Sequence, residues 1–268
     1  MATIAPPIQP SASLAASTLG IAKRGLLKYL RTPQLLVLGT IQGALFLLIF
    51  RYVFGGAICS GDLNYVDFLV AGFITTGILF SGMGAAAGVA EDLEQGLVDR
   101  LRSLPIPRSA VLAGRALSDS AVLVWGLLIT AAIGFAVGFR IHGSAVDALA
   151  ALGLLIVFGF AFEWLFITLG LFAGNAQAAQ GLALLVFPLT FVSSAYVPVE
   201  TMPGWMQGFA EHQPITVMVD AVRALTQGPA AEALLGHSAG YFVVRSLLWA
   251  AAIMAVFVPV AVWRYRRG

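Results

Sequence analysis

The sequence predicts an all-α integral membrane protein. We expect six transmembrane helices, an N-terminal amphipathic interfacial helix, and two short external re-entrant helices before the last span. Three observations carry this. Hydrophobic residues make up 59% of the chain and charged ones only 10%, with a mean hydropathy of +0.91, whereas soluble domains are about a quarter charged. Apolar runs near the roughly 20 residues needed to cross a bilayer recur through all 268 positions and leave no room for a sizeable soluble domain. Finally, Lys and Arg segregate. With the spans alternating from an inside start, eleven fall on the side of both termini and four (Arg51, Arg140, Arg223, Arg245) on the other.

In chain order, residues 1–17 are rich in Ala, Pro and Ser without Lys or Arg, which predicts a disordered inside tail rather than a secretory signal. Over 18–31, Leu19, Ala22, Leu26, Leu27 and Leu30 recur at helical spacing among Lys23, Arg24, Lys28 and Arg31, the pattern of a helix lying in the interface. Pro33 suits the first turn of the next helix, and span one covers about 34–53. Span two covers about 68–90 and carries Gly82, Gly84 and Gly88, of which Gly84 and Gly88 form a GxxxG close-approach motif. Spans three, four and five cover about 118–139, 148–173 and 178–197, the last kinked at Pro188. Between 198 and 228, Pro198, Pro203 and Pro214 delimit two segments too short to cross. Trp205, Met206 and Phe209 share a face of the first; Val217, Met218, Ala221, Val222 and Leu225 share a face of the second. They either dip into the outer leaflet or lie on the surface as a hairpin, and backbone within the membrane would need protein or water around it. The last span covers about 241–263, before Arg264, Arg266 and Arg267.

This composition excludes several functions. The single cysteine, Cys59, rules out an internal disulfide framework, and His142, His212 and His237 are too scattered for a recognisable metal motif. The basic residues follow membrane side, which is topology and not a nucleic-acid footprint. No GxxxxGK[ST] loop is present, and the two lysines, Lys23 and Lys28, follow no glycine-rich turn. No GxSxG elbow or HExxH helix appears either, so hydrolytic catalysis has no visible apparatus.

Polar residues within the apolar chain are the remaining candidates. Residues 91–115 hold four acids (Glu91, Asp92, Glu94, Asp99) and four arginines (Arg100, Arg102, Arg108, Arg115) between two apolar spans. A lipid-facing loop would be one-sidedly basic; a charge-balanced one reads as a docking surface for a protein or as a solvated hairpin. Acids first and arginines last suit a helix dipole, and a helix over about 89–103 would end before Pro105. Arg115 and Asp119 form an i,i+4 pair at the start of span three. Glu163, among Phe158, Phe160, Phe162, Trp164 and Phe166, is the one acid near mid-span. It reads as a structural hydrogen bonder, a contact for a cationic substrate, or a proton carrier, and the last would make the chain a proton-coupled secondary transporter. Gln42 in span one reads as an interhelical hydrogen bonder that packs the spans, with a functional contact as the alternative.

At these residues the chain resembles the permease (transmembrane) subunit of ABC-2 type exporters, in the daunorubicin-resistance, DrrB-like branch. The motifs are FRYVFGG at 50–56, GLVDRLRSLPIPRSAVLAGR at 96–115, and FPLTFVSSAYVPVETMPGWMQGFAEHQPITVMVDAVRALTQG at 187–228, within a likeness that starts near Lys23. Gln213 stands before Pro214 where the family commonly has Asn. The resemblance implies a six-span half-transporter without catalytic residues or a cofactor of its own. It would pair with a second permease copy or a sister permease and with two cytoplasmic ATPase subunits that carry ATP and Mg, and would move hydrophobic drugs, lipids or glycolipids outward across a bacterial plasma membrane. The loop between spans two and three would be a coupling helix contacting the ATPase through Glu91, Glu94, Gly96, Asp99, Arg100, Arg102, Pro105 and Arg108. The external helices would match 202–227, and Glu163, Gln42, Phe187 and Trp205 are the expected substrate-path residues.

Overall fold

The computed structural model describes residues 13–55, 63–103 and 107–267, and the described chain is helical with no strand. Helix α1 (Leu14–Arg31) begins four residues before the expected start because Ser13 caps it, its Oγ accepting the Ala16 N–H at 3.2 Å. Lys28 and Arg31 occupy its last turn, where cations favour the dipole. Helix α2 (Pro33–Ile49) starts on a proline and runs into a π-helical turn at Phe50–Phe54. Helix α3 (Tyr65–Glu94) is capped by Asn64 and forms the buried column of the fold, packing on later helices along most of its length.

After the short α4 (Leu97–Arg102), helix α5 (Arg108–Ala136) returns along α3. It begins ten residues before the expected span, since the basic arm at 108–117 is continuous helix rather than loop. Helix α6 (Ala145–Phe172) opens on a capping box in which Ser144 and Asp147 satisfy each other's backbone N–H groups.

Expected span five is broken. Helix α7 (Ala176–Leu184) ends before Pro188, which has no N–H to continue the ladder, and α8 (Pro188–Phe191) adds a single turn. A 3-10 turn at Val199–Thr201 leads to α9 (Gly204–His212), α10 (Pro214–Gln227), α11 (Pro229–Leu235) and the terminal α12 (Ala239–Arg267).

By length and composition, four described helices can cross a membrane: Tyr65–Glu94, Ser109–Ala136, Ala145–Phe172 and Ala239–Arg267. The apolar stretches Gly43–Phe54 and Ala176–Phe191 are shorter. Helix α10 is buried on every face from Ile215 to Gln227, not on the single apolar stripe its sequence suggests, because α3, α6 and α12 enclose it. A second apolar cluster, around Val111, Leu112, Trp164, Ile167 and Tyr265, sits at the charged end.

The small residues of α3 accept side chains rather than a second helix backbone at the GxxxG pair. A Cβ on Gly82 would strike the Phe166 ring and one on Gly88 the Arg115 guanidinium, while Gly84 has nothing within 4 Å.

Candidate coupling corner and cleft

The charged stretch does not form the continuous helix over 89–103 that its dipole pattern suggests. Helix α3 ends at Glu94, and Gly96 takes a φ of +66°, which an L side chain adopts only at a cost. The last turn closes through Gln95 N–H to the Glu91 carbonyl at 2.9 Å and Gly96 N–H to the Leu93 carbonyl at 3.0 Å. The chain then restarts as α4, with Arg100 N–H donating to the Gly96 carbonyl at 3.2 Å. Val98 is buried beneath this corner while Arg100 is exposed, so α4 is seated through Val98 and presents Arg100.

Of the other expected coupling residues, Glu94 accepts the Ala176 N–H at 3.3 Å and thereby ties the start of α7 to the corner. Glu91 pairs with Lys28 of α1 at 3.4 Å. Pro105 and the side chains of Asp99, Arg102 and Arg108 lie outside the described residues.

Behind the corner, charge is arranged as a network. Arg115 on α5 holds Asp119 through Nε at 2.6 Å, the pair its i,i+4 spacing predicts. It also holds Asp92 on α3 through a terminal nitrogen at 2.5 Å. Tyr29 on α1 donates to the other Asp119 oxygen at 3.0 Å, and Lys28 reaches Asp92 at 3.8 Å. Burial, with the Asp119 carboxylate adding to it, pushes the Tyr29 phenol well above its ordinary range, so the hydroxyl keeps its proton and remains a donor. Three helices thus meet at one arginine. Helix α1 reaches it by close packing on α5, where Gly25 lies against Ser118, and Gly114 against Ile21 and the Thr18 carbonyl.

The network lines a cleft of about 1340 Å³ whose walls come from α1, α2, α3, α4, α5 and α7, with Leu171 of α6 and Tyr265 of α12. Its body is apolar, with Phe46, Phe73, Phe80 and Phe187 among its walls, and Phe80 and Phe187 meet edge-on at 5.3 Å. The four expected path residues are not brought together. Phe187 lines the cleft. Glu163 is buried behind it, 1% exposed, with neither carboxylate oxygen bonded to any described residue. Trp205 on α9 is 83% exposed and faces no part of the cleft, and the Gln42 side chain lies outside the described residues.

One polar cluster has no counterpart in the sequence reading, which only counted Arg223 among the four cations on the side opposite the termini. Arg223 on α10 is fully buried. It pairs with Asp220 at 2.8 Å, donates to the Phe68 and Ser194 carbonyls at 3.1 and 2.9 Å, and stacks over the Phe68 ring at 3.6 Å. Asp220 also accepts from Ser194 Oγ at 2.7 Å. The cluster pins the irregular chain after α8 and the first turn of α3 onto α10. The signal was present: an Asp and an Arg three apart on an otherwise apolar helix are mutual partners more readily than surface groups.

Comparison with known proteins agrees with this architecture. The family profile for the ABC-2 type transporter matches residues 17–226. The chain is 32% identical over 257 residues to the daunorubicin resistance ABC transporter permease protein DrrB1 of Streptomyces coeruleorubidus, covering 95% of this chain and 88% of that one. It is 28% identical over 211 residues to the probable doxorubicin resistance ABC transporter permease protein DrrC of Mycobacterium tuberculosis, covering 78% and 71%. It is also 27% identical to the inner membrane transport permease YadH of Escherichia coli K12 over 199 residues, 71% and 74% of the two chains. With the profile spanning most of the sequence and the Streptomyces permease similar along nearly all of it, the chain belongs to the ABC-2 type transporter family.

Proposed function

We propose that this chain is the permease subunit of an ATP-driven exporter that moves hydrophobic drugs or lipids outward, powered by a separate ATPase. The observation that carries the reading is the corner at Gly96. A short helix presents Arg100 outward at the end of the central helix, and the same end is wired through Asp92 and Arg115 to the wall of a large apolar cleft. Binding energy applied at α4 therefore has a rigid route to the cleft. The corner is the docking site for the ATPase, with Glu91, Glu94, Gly96, Asp99, Arg100, Arg102, Pro105 and Arg108 as its contacts. The printed names of the relatives, daunorubicin and doxorubicin resistance, support the substrate class.

In this reading the chain crosses a bacterial plasma membrane six times. Helices α3, α5, α6 and α12 cross outright; α2 with its π turn, and α7 with α8, supply the interrupted crossings. Both termini and the Gly96 corner lie inside, and α9 and α10 enter from the outer side. Removing buried Arg223 from the charge count sharpens the asymmetry to eleven against three. Two ATPase subunits, each with ATP and Mg, and a second copy or sister permease complete the transporter. Nucleotide-driven closure of the ATPase pair moves the two corners, and the packed helices around the cleft rearrange as units to release substrate outward.

The test is export from cells that express the chain with an ABC ATPase. Export stops on ATP depletion and continues when a protonophore collapses the proton gradient; Glu163→Gln leaves it intact for cationic and neutral substrates alike. The reverse pattern, survival without ATP and loss with the gradient or with Glu163→Gln, would make the chain a secondary transporter that uses Glu163.

A further inference from the structure

The cleft is not uniformly apolar: one rim is a row of cations from α1. Lys23, Arg24, Lys28 and Arg31 all line it and fall on one side of the helix. Lys28 is engaged by Glu91 and Asp92, and Arg115 by Asp92 and Asp119. Lys23, Arg24 and Arg31 are exposed and make no ion pair with another described residue. The N-terminal residues 1–12 contain no acid to neutralise them. Among the described residues, five cations against three acids line the cleft, and four of the cations belong to α1.

Beyond the rim the walls turn apolar. From Asp92 back to Phe73, α3 alone provides about 28 Å of wall at its rise per residue, more than the ~15 Å of a single leaflet. Beside the cations, α1 also exposes Leu19, Leu26 and Leu30, at 64%, 39% and 62% of their surface, the arrangement of a helix lying at the level of the headgroups.

We infer that the cleft is a binding site for an anionic phospholipid of the inner leaflet, its headgroup held by Lys23, Arg24 and Arg31 and its acyl chains laid against Phe46, Phe80 and Phe187. A free phosphate would satisfy the cations and leave the apolar wall wet. A lipid with an anionic head satisfies both parts at once. The inference rests on the membrane reading of the chain and is independent of ATP, so it stands or falls separately from the exporter reading.

Trp125 lines the cleft and is half exposed, which makes it a reporter. The full chain is reconstituted into phosphatidylcholine vesicles, and tryptophan fluorescence is titrated with doxyl-labelled phosphatidylglycerol or doxyl-labelled phosphatidylcholine. The same titration on Trp125→Phe isolates the signal of the cleft. The anionic label quenches the Trp125-dependent fluorescence at about tenfold lower mole fraction than the zwitterionic one. Lys23→Gln/Arg24→Gln/Arg31→Gln abolishes the preference, and the charge-keeping Lys23→Arg/Arg24→Lys/Arg31→Lys retains it. Equal quenching by the two labels overturns the inference. So does reversal of quenching by inorganic phosphate, which makes the site one for a free anion. Absence of Trp125-dependent quenching by either lipid means the cleft is closed to lipid, as by a second copy, and also overturns it.

Discussion

Arg115 and Asp92 meet at 2.5 Å although 23 residues separate them, which fastens the end of the central helix to the helix that returns beside it. The arginine side chain is only 15% exposed, so the contact is made largely away from water. Arg115→Gln removes a partner of two carboxylates, leaving Asp119 without a cation and Asp92 with only Lys28, at 3.8 Å, in a poorly hydrated place. We expect a loss of about 3 kcal/mol in stability, read by thermal unfolding in detergent. A larger relative fall is expected in ATP-driven transport than in ATPase association, because the docking surface itself is untouched. Arg115→Lys keeps the charge but cannot reach both acids in the same fork and falls between the two.

Gly96 tests the corner without disturbing packing. A Cβ there would meet nothing within 4 Å, so the cost of Gly96→Ala arises from the φ of +66° alone, about 1 kcal/mol. Helix α3 is then expected to run on into α4 and re-aim Arg100. The measurement is ATPase pull-down, which weakens for Gly96→Ala and less for Gly96→Asn, since Asn tolerates the left-handed region better.

Gly72 is predicted to be intolerant because, unlike Gly82 and Gly88 of α3, it lies against backbone rather than a side chain. A methyl group there would run into the Ala195 backbone, which the Arg223 cluster holds in place through the Ser194 carbonyl. Gly72→Ala should lower the unfolding temperature by an amount corresponding to 1–3 kcal/mol, roughly the cost of overpacking a close-packed site. Gly77→Ala, at a position with nothing within 4 Å, should be neutral. Equal effects at the two positions would show that the chain after α8 is not held against α3.

Arg223 and Asp220 should behave as a unit. Arg223→Met strands a buried carboxylate and should cost on the order of 3–5 kcal/mol. Arg223→Met with Asp220→Leu should recover much of that, so the double-mutant cycle shows a coupling of roughly 2 kcal/mol. Additive losses would mean that the arginine acts through its carbonyl contacts, to Phe68 and Ser194, rather than through the ion pair.

How far the sequence could be read depended on the range over which each feature is encoded. The helical membrane class follows from composition, and the Arg115–Asp119 pair from i,i+4 spacing, because both are local. Asp92 and Lys28 were legible as charges but not as partners of Arg115 and Glu91, since only the packing of α1 and α3 against α5 brings them together. The break at Gly96 had a local signal, a glycine just past a helical run, but the charge pattern over 89–103 reads as one continuous helix and masks it. The burial of Arg223 was not legible for a related reason. Counting cations by membrane side treats each as exposed, and only three-dimensional enclosure of α10 shows this one to be internal. Pro188 marked a bend, but the severity of the break, a helix ending at Leu184 and followed by i→i−3 turns through Thr190, exceeds what one proline encodes. Glu163 was legible as an unusual buried acid, and its exclusion from the cleft lining was not.

The exposed Arg100 offers the most direct test of the central claim, that energy enters this chain at the Gly96 corner from a separate ATPase. In proteoliposomes, ATP hydrolysis by the partner ATPase is measured alone, with the wild-type chain, and with Arg100→Glu, which alters a surface charge and no buried contact. The account predicts that the wild-type chain stimulates hydrolysis several-fold and that Arg100→Glu removes most of this stimulation while leaving the intrinsic rate and the permease's unfolding temperature unchanged. Full stimulation by the Arg100→Glu chain would contradict it.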